Sequence, residues 1–208
     1  MILMSLAAFC LSMTTWAALR GHLPLAITNA TMMIMVPLLG GATFTMGEYG
    51  SNVGNIFFAA MMFGLSLQFL AHGPVAAHES INNTLLALVV VFTSLFLVDV
   101  FRPDPAFILP ARLVGVSFVS FWTAQSLFIF LLQRYAFLPP MLCVPAMTIF
   151  IQVIDSAIFF PCAFAGLLPV EKILTFAITG WLVKSAIVLG SMPFLAVFLW
   201  RREWLAPA

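Results

Sequence analysis

Long apolar stretches separated by short polar breaks dominate the sequence. A transmembrane helix needs about 20 predominantly apolar residues to cross the hydrocarbon core of a bilayer. The polar breaks divide the chain into seven predicted spans: Ile2–Leu19, Leu23–Leu39, Asn52–Ala71, Leu85–Phe101, Leu113–Gln133, Pro140–Leu167 and Ile173–Trp200. Only Arg20-Gly21-His22 separates the first two, so six spans with a long first helix stay open.

The pattern therefore predicts an all-α polytopic membrane protein. We expect a six-helix transmembrane core over residues 23–208, preceded by an N-terminal transmembrane helix and short loop over residues 1–22. The last two predicted spans are long enough to tilt or bend. Pro161 with Gly166, and Gly180 with Gly190 and Pro193, mark the expected flexing points.

Composition narrows the class of function. The chain of 208 residues is 63% hydrophobic and 7% charged, whereas about a quarter of the residues in a soluble domain are charged. A net charge of +1 offers no basic surface for nucleic acid. No Walker motif or glycine-rich phosphate loop is present, and the connecting segments leave no room for a soluble catalytic domain. The lipid bilayer is the expected partner.

Enzymatic and metal chemistry are not predicted. An intramembrane protease needs a GxSG motif with a histidine, or two aspartates within the membrane, and this chain has one deeply placed aspartate. His72, His78 and Glu79 lack the HExxH or HxxxH spacing of a zinc site. We expect no catalytic residue, metal or cofactor.

Two opposite charges interrupt the last two apolar segments. Asp155 stands between uncharged stretches, 135–154 and 156–170, and Lys184 stands between 173–183 and 185–200. A charge near the bilayer centre costs about 2.5–3.5 kcal/mol on insertion-based scales, so it usually faces a partner, a cavity or a transport path. The two side chains are expected to neutralise each other.

Helical spacing surrounds each charge with polar groups. Gln152, Asp155 and Ser156 stand at i, i+3 and i+4, and therefore share one helix face. Trp181, Lys184 and Ser185 repeat this spacing in the last segment.

If the two faces meet, they form a polar site with Phe159 and Trp181 as aromatic walls. The alternative is a simple ion pair that holds two helices together. We favour a site, because a packing pair is replaceable by apolar residues at little cost.

A second group of polar residues belongs to the third segment. Asn55 lies near one membrane edge and Gln68 near the other. Ligand contact and ordinary hydrogen bonding between helices explain these two residues equally well.

The C-terminal third carries Gln152-x-x-Asp155-Ser156-x-Ile158-Phe159-Phe160, a Gly/Pro turn, Lys184-Ser185 and Pro193-Phe194. This pattern resembles the vitamin-uptake/queuosine-precursor transporter family. Asn55-x-Phe57-Phe58 through His72-Gly73-x-x-x-Ala77 resembles the same family more weakly. The resemblance covers residues from about 23 to 202.

This resemblance implies a bacterial inner-membrane importer of deazaguanine precursors of queuosine, without an ATPase of its own. Asp155 would accept two parallel N–H bonds from the guanine-like edge, a geometry that a neutral amide cannot copy. Gln152 would pair with the ring carbonyl or a ring nitrogen, and Phe159 or Trp181 would stack on the ring. Lys184 would hold Asp155 ionised until substrate arrives.

One departure marks the chain as a divergent member. The family usually carries acidic residues where this chain has Ser66 and Leu70, so another small heterocycle is an open alternative. A substrate-binding membrane subunit that works with a separate energising ATPase module is a second alternative, and a non-transporting scaffold is a third. A homodimer also stays open. Arg201-Arg202 after the last span favours a cytoplasmic C-terminus under the positive-inside rule.

Overall fold

A computed structural model of the protein describes residues 2–39, 42–46, 49–101 and 108–205. Within these ranges the chain forms seven helices and one antiparallel hairpin. The elements are α1 (Ile2–Arg20), α2 (His22–Leu38), β1 (Thr43–Met46), β2 (Tyr49–Asn52), α3 (Gly54–Phe101), α4 (Ile108–Arg134), α5 (Pro140–Phe164), α6 (Val170–Gly190) and α7 (Met192–Leu205).

The predicted all-α polytopic membrane protein is confirmed. Five apolar helical stretches in the described chain are long enough to cross a membrane: Ile2–Arg20, Gly54–Ser94, Arg112–Arg134, Pro140–Phe164 and Val170–Arg202. The helix His22–Leu38 is also apolar but shorter. Many large apolar side chains on these helices are exposed, as expected for surfaces that face lipid rather than water.

The third and fourth predicted spans differ from the structure. The sequence placed a polar break between Ala71 and Leu85, whereas α3 remains helical through this region. A kink occurs at Gly73, whose φ of 82° is readily adopted only by glycine, and Pro74 follows it. The kink divides α3 into two helical halves, 54–72 and 74–101. The polar residues after the kink do not end the helix.

The first two predicted spans are separate helices. Gly21, with φ of 120°, interrupts the backbone between α1 and α2. Both helices then pack on α3. The contact is close because Gly64 has no Cβ: an added Cβ would press on the side chains of Asn29 and Thr14. Asn29 Nδ2 also donates to Ser80 Oγ at 3.2 Å, which links α2 to the second half of α3.

The last two predicted spans correspond to α5 and to α6 with α7. Gly166, with φ of 77°, lies in the turn after α5, whereas Pro161 lies within the helix. Ser191 separates α6 from α7, but its N–H still bonds to the carbonyl of Ile187 at 2.9 Å. Residues 170–205 therefore continue in one direction and reach the length that the apolar pattern predicted.

The β2 end of the hairpin segment contacts the helical bundle. Strand β2 packs against α6 and α3. Gly54, the first residue of α3, lies so close to α2 that an added Cβ would be 2.6 Å from the carbonyl oxygen of Val36. At the same end of the bundle, Arg112 of α4 donates to the carbonyl of Cys162 in the last turn of α5 and to that of Ala165 directly after the helix. These contacts join α3 to α2, and α4 to α5, at this end of the bundle.

Candidate functional site

Asp155 lies deep within a membrane-spanning helix. It is 15 residues after Pro140, the start of α5, and 9 residues before Phe164, its end. At 1.5 Å per residue these separations correspond to about 22 and 14 Å along the helix axis. The carboxylate is therefore far from both ends of the helix, as the sequence pattern predicted.

Asp155 and Lys184 form a direct ion pair between α5 and α6. Lys184 Nζ lies 2.7 Å from Asp155 Oδ2, and the side chains are only 2% and 7% exposed. The ammonium also donates to Ser156 Oγ at 2.8 Å. The predicted meeting of these two helix faces thus takes place at Asp155, Ser156 and Lys184.

Two neighbouring helices complete the surroundings of the pair. Ser120 Oγ of α4 donates to Asp155 Oδ1 at 2.5 Å, and the Lys184 ammonium lies 4.9 Å from the centre of the Phe58 ring of α3. A cation over an aromatic face gains further electrostatic stabilisation when it is removed from water. We refer to Asp155, Lys184, Ser156, Ser120 and Phe58 as the ion-pair layer.

Sequence reasoning missed the contribution of α4. Ser117 and Ser120 stand at i and i+3, so they share a helix face, and both are buried. This spacing within an apolar segment is the signal that identifies them. Phe58 gives no such signal, because one phenylalanine among the 22 in the chain is indistinguishable before the helices pack.

A small cavity adjoins the ion-pair layer. Its volume is about 20 Å³. It is lined by Met33, Val36, Pro37, Asn52, Asn55, Phe58, Leu113, Ser117, Asp155, Phe159 and Lys184. All lie at or beyond the pair toward the end of the bundle that holds β2 and the start of α4. A space of this size holds about one water molecule, whereas ligand pockets measure roughly 300–1,000 Å³. A molecule much larger than water therefore fits this space only if the helices separate.

Several predicted residues meet at this cavity. Asn55 lines it, and its Nδ2 donates to Ser51 Oγ at 2.9 Å. Phe159 also lines it, and its ring meets that of Phe160 edge to face with centroids 5.3 Å apart. Gly180 allows α6 to come close to Phe160 and Asn55, because an added Cβ would lie 2.8 Å from the Phe160 ring and 3.2 Å from Asn55 Nδ2.

Besides Ser156, four other predicted residues lie outside the cavity lining. Trp181 is half-buried, and its Nε1 donates to the carbonyl of Ile149 at 3.3 Å. Gln152 and Gln68 are completely buried, and Ser185 is nearly so. Within the described chain, the amide atoms of both glutamines and the Ser185 hydroxyl have no hydrogen-bond partner.

The arrangement leaves the carboxylate with unused capacity. A carboxylate has about four lone-pair positions, and each Asp155 oxygen has one side-chain donor here. The Ser117 hydroxyl lines the cavity without a hydrogen-bond partner among the described residues. Among the described residues, the cavity is therefore lined by a carboxylate with unused acceptor positions, by an unpaired hydroxyl and by the Phe159 ring.

Comparison with known proteins identifies no relative of this chain. No protein-family model, no curated protein and no solved structure matches the chain. The assignment to the vitamin-uptake/queuosine-precursor family thus stays a prediction from its sequence motifs, and the site itself carries the functional argument.

Proposed function

We propose that this protein is a membrane transporter that imports a small, net-neutral, purine-like heterocycle. A deazaguanine precursor of queuosine is the first candidate, and Asp155 is its principal contact. The observation that supports this proposal best is the buried Asp155–Lys184 pair at the base of a cavity. An ion pair needed only for packing has no reason to adjoin a cavity that is lined by the Phe159 ring and by a hydroxyl without a partner among the described residues.

Charge balance favours a neutral ligand. Asp155 and Lys184 together carry no net charge, so a bound ion would leave an uncompensated charge within the membrane. A guanine-like edge presents two parallel N–H donors, which a carboxylate accepts well. These donors would replace Lys184 at Asp155 Oδ2, while Lys184 kept Ser156 and the Phe58 ring as partners.

The position of the cavity is compatible with import. The cavity lies toward the end of α5, and residues 170–205 run from that side to the C-terminal end. If Arg201-Arg202 mark a cytoplasmic C-terminus, as the positive-inside rule indicates, the cavity faces away from the cytoplasm. The proposed setting is a bacterial inner membrane.

The first test is ligand-induced thermal stabilisation of the purified protein. Deazaguanines, guanine and vitamins would be compared on the wild type, on Asp155→Asn and on Glu79→Gln. The last variant is the matched control, because it removes a carboxylate that is 59% exposed and paired with His22 far along α3. A deazaguanine at 100 times its Kd stabilises the folded state by about 2.7 kcal/mol, which raises the melting temperature.

The proposal requires this stabilisation to be present in Glu79→Gln and absent in Asp155→Asn. No stabilisation of the wild type by any heterocycle, or equal stabilisation of both variants, would reject Asp155 as the reader of the ligand. Uptake of the stabilising compound by the isolated protein in liposomes then tests transport directly. Uptake that needs an added ATPase module would indicate a binding subunit instead.

A further inference from the structure

Two buried glutamines lie just beyond the ion-pair layer. Gln152 precedes Asp155 by three residues on α5, about 4.5 Å along the helix axis. Gln125 follows Ser120 by five residues on α4, about 7.5 Å along the axis. Both side chains are completely buried. Their levels along the helices lie on the side of the pair opposite the cavity, because Gln152 lies toward the start of α5 and Gln125 toward the end of α4.

Contacts with α3 place Gln125 at a similar level along the bundle axis. Gln125 Nε2 contacts the sulfur of Met62, which lies one helical turn beyond Phe58. Phe58 in turn holds the Lys184 ammonium against its ring. Three helices therefore contribute residues one to two turns below the pair. We refer to Gln125, Gln152 and Met62 as the glutamine layer.

The polar groups of this layer are largely unsatisfied. Three of the four amide N and O atoms of Gln125 and Gln152 have no hydrogen-bond partner in the described part of the chain, and the fourth contacts only the Met62 sulfur. An unpaired buried amide costs about 1–3 kcal/mol in protein mutational data. Amides that merely join helices bond to polar groups across the interface, whereas Gln152 has no partner among the described residues and Gln125 contacts only a thioether sulfur, which is a weak acceptor. Their arrangement is therefore unfavourable for packing alone.

We propose that the glutamine layer is a second binding level, which holds water and a neutral hydrogen-bonding solute on the far side of the Asp155–Lys184 pair. An amide provides donors and acceptors without charge, so it matches the edge of a neutral heterocycle. The inference rests on the proposed transport function. In this arrangement a solute passes from the cavity to Asp155 and then to Gln152 and Gln125 as the helices open toward the other side.

Cysteine accessibility tests the layer without a substrate. In proteoliposomes, Gln125→Cys and Gln152→Cys would each be compared with an adjacent cysteine on the same helix, Ala124→Cys and Ile151→Cys. All four native side chains are completely buried, so depth and burial are matched. The background replaces the native cysteines by alanine at Cys10, Cys143 and Cys162.

A small, water-soluble methanethiosulfonate reagent reacts with the thiolate, which requires access to water. We expect the two glutamine positions to react at least about tenfold faster than their apolar neighbours. Rates within about twofold between the glutamine and neighbouring positions would overturn the proposal, whether all four positions react or none does. Labelling is read by mass spectrometry and needs no uptake, so it stays decisive if the transport proposal fails.

A second measurement distinguishes a role of the two glutamines in the solute path from a role in packing. The Gln125→Leu/Gln152→Leu variant removes unpaired amides, a change that is nearly neutral or stabilising in a packed interior. We expect an unchanged or higher melting temperature together with at least a tenfold loss of heterocycle uptake. A lower melting temperature, or unchanged uptake in a stable protein, would contradict the proposed level.

Discussion

The ion-pair layer and the glutamine layer are adjacent but satisfied in opposite ways. In the first, both carboxylate oxygens of Asp155 accept a hydrogen bond, and the Lys184 ammonium has two oxygen partners and an aromatic face. In the second, the amides of Gln152 and Gln125 have almost no partners in the described chain. Both layers are buried to nearly the same degree, so burial alone does not explain the difference.

This difference indicates which layer stabilises the closed arrangement of the helices. Separating the ion-pair layer leaves charges in a region of low dielectric, so it resists opening unless a ligand replaces a lost partner. Opening the glutamine layer to water or to a solute supplies partners to amides that lack them. The first layer therefore favours the closed arrangement, and the second favours an opened one. Under the proposed function, binding of a neutral ligand would shift the balance between the two arrangements.

The largest expected effect comes from breaking the pair on one side. Lys184→Met leaves Asp155 buried without its cation, and we expect the free energy of unfolding to fall by about 3–5 kcal/mol. Asp155→Leu with Lys184→Leu removes both charges and should recover most of that loss while abolishing uptake. Thermal unfolding in detergent measures both. Gln152→Leu is the comparison from the other layer, and an equal loss there would refute the contrast between the layers.

An intermediate effect is expected at the close contact above the pair. In Gly180→Ala the new methyl group presses on Phe160 and Asn55, and such overpacking costs about 1–3 kcal/mol. Gly190→Ala is the control on the same helix, because nothing lies within 4 Å of its added Cβ. We expect a lower melting temperature for the first variant alone. Equal behaviour of both variants would show that the approach of α6 to Phe160 is not tight.

The smallest effect distinguishes two serines on one face of α4. Ser120→Ala removes the donor to Asp155 Oδ1, and we expect a loss of about 1–2 kcal/mol, because hydrogen bonds to charged groups are among the stronger ones. Ser117→Ala removes a hydroxyl without a partner in the described chain, so stability should stay unchanged. Its effect should appear in ligand affinity instead. A destabilised Ser117→Ala would mean that this hydroxyl already has a structural role.

The sequence predicted the central residues of the site more completely than its walls. Asp155, Ser156 and Lys184 followed from charge within apolar segments and from helical spacing, and they meet as expected. Trp181 was predicted as a wall but bonds to a carbonyl of α5 outside the cavity. Its spacing fixed its angular position on α6, whereas the rotamer and the neighbouring surface determined where the indole lies.

The sequence also misplaced one break between spans. The polar residues from His72 to Thr84 suggested a loop, yet α3 continues helically through them with a kink at Gly73. Helical hydrogen bonds form whether side chains are polar or apolar, so a polar stretch can simply extend a helix beyond the membrane. Within this stretch, Gly73 and Pro74 are the residues that indicate where the helix bends.

The sequence by itself determined the membrane class, the approximate spans and the residues that share each helix face. These properties depend on local quantities, namely the length of apolar stretches and the 3.6-residue turn. Only the tertiary structure decided that Ser120 and Phe58 complete the ion-pair layer and that Gln125 of α4 meets Met62 of α3. These neighbours come from different helices, and their alignment depends on close packing at positions such as Gly180 and Gly64, which spacing along one helix does not encode.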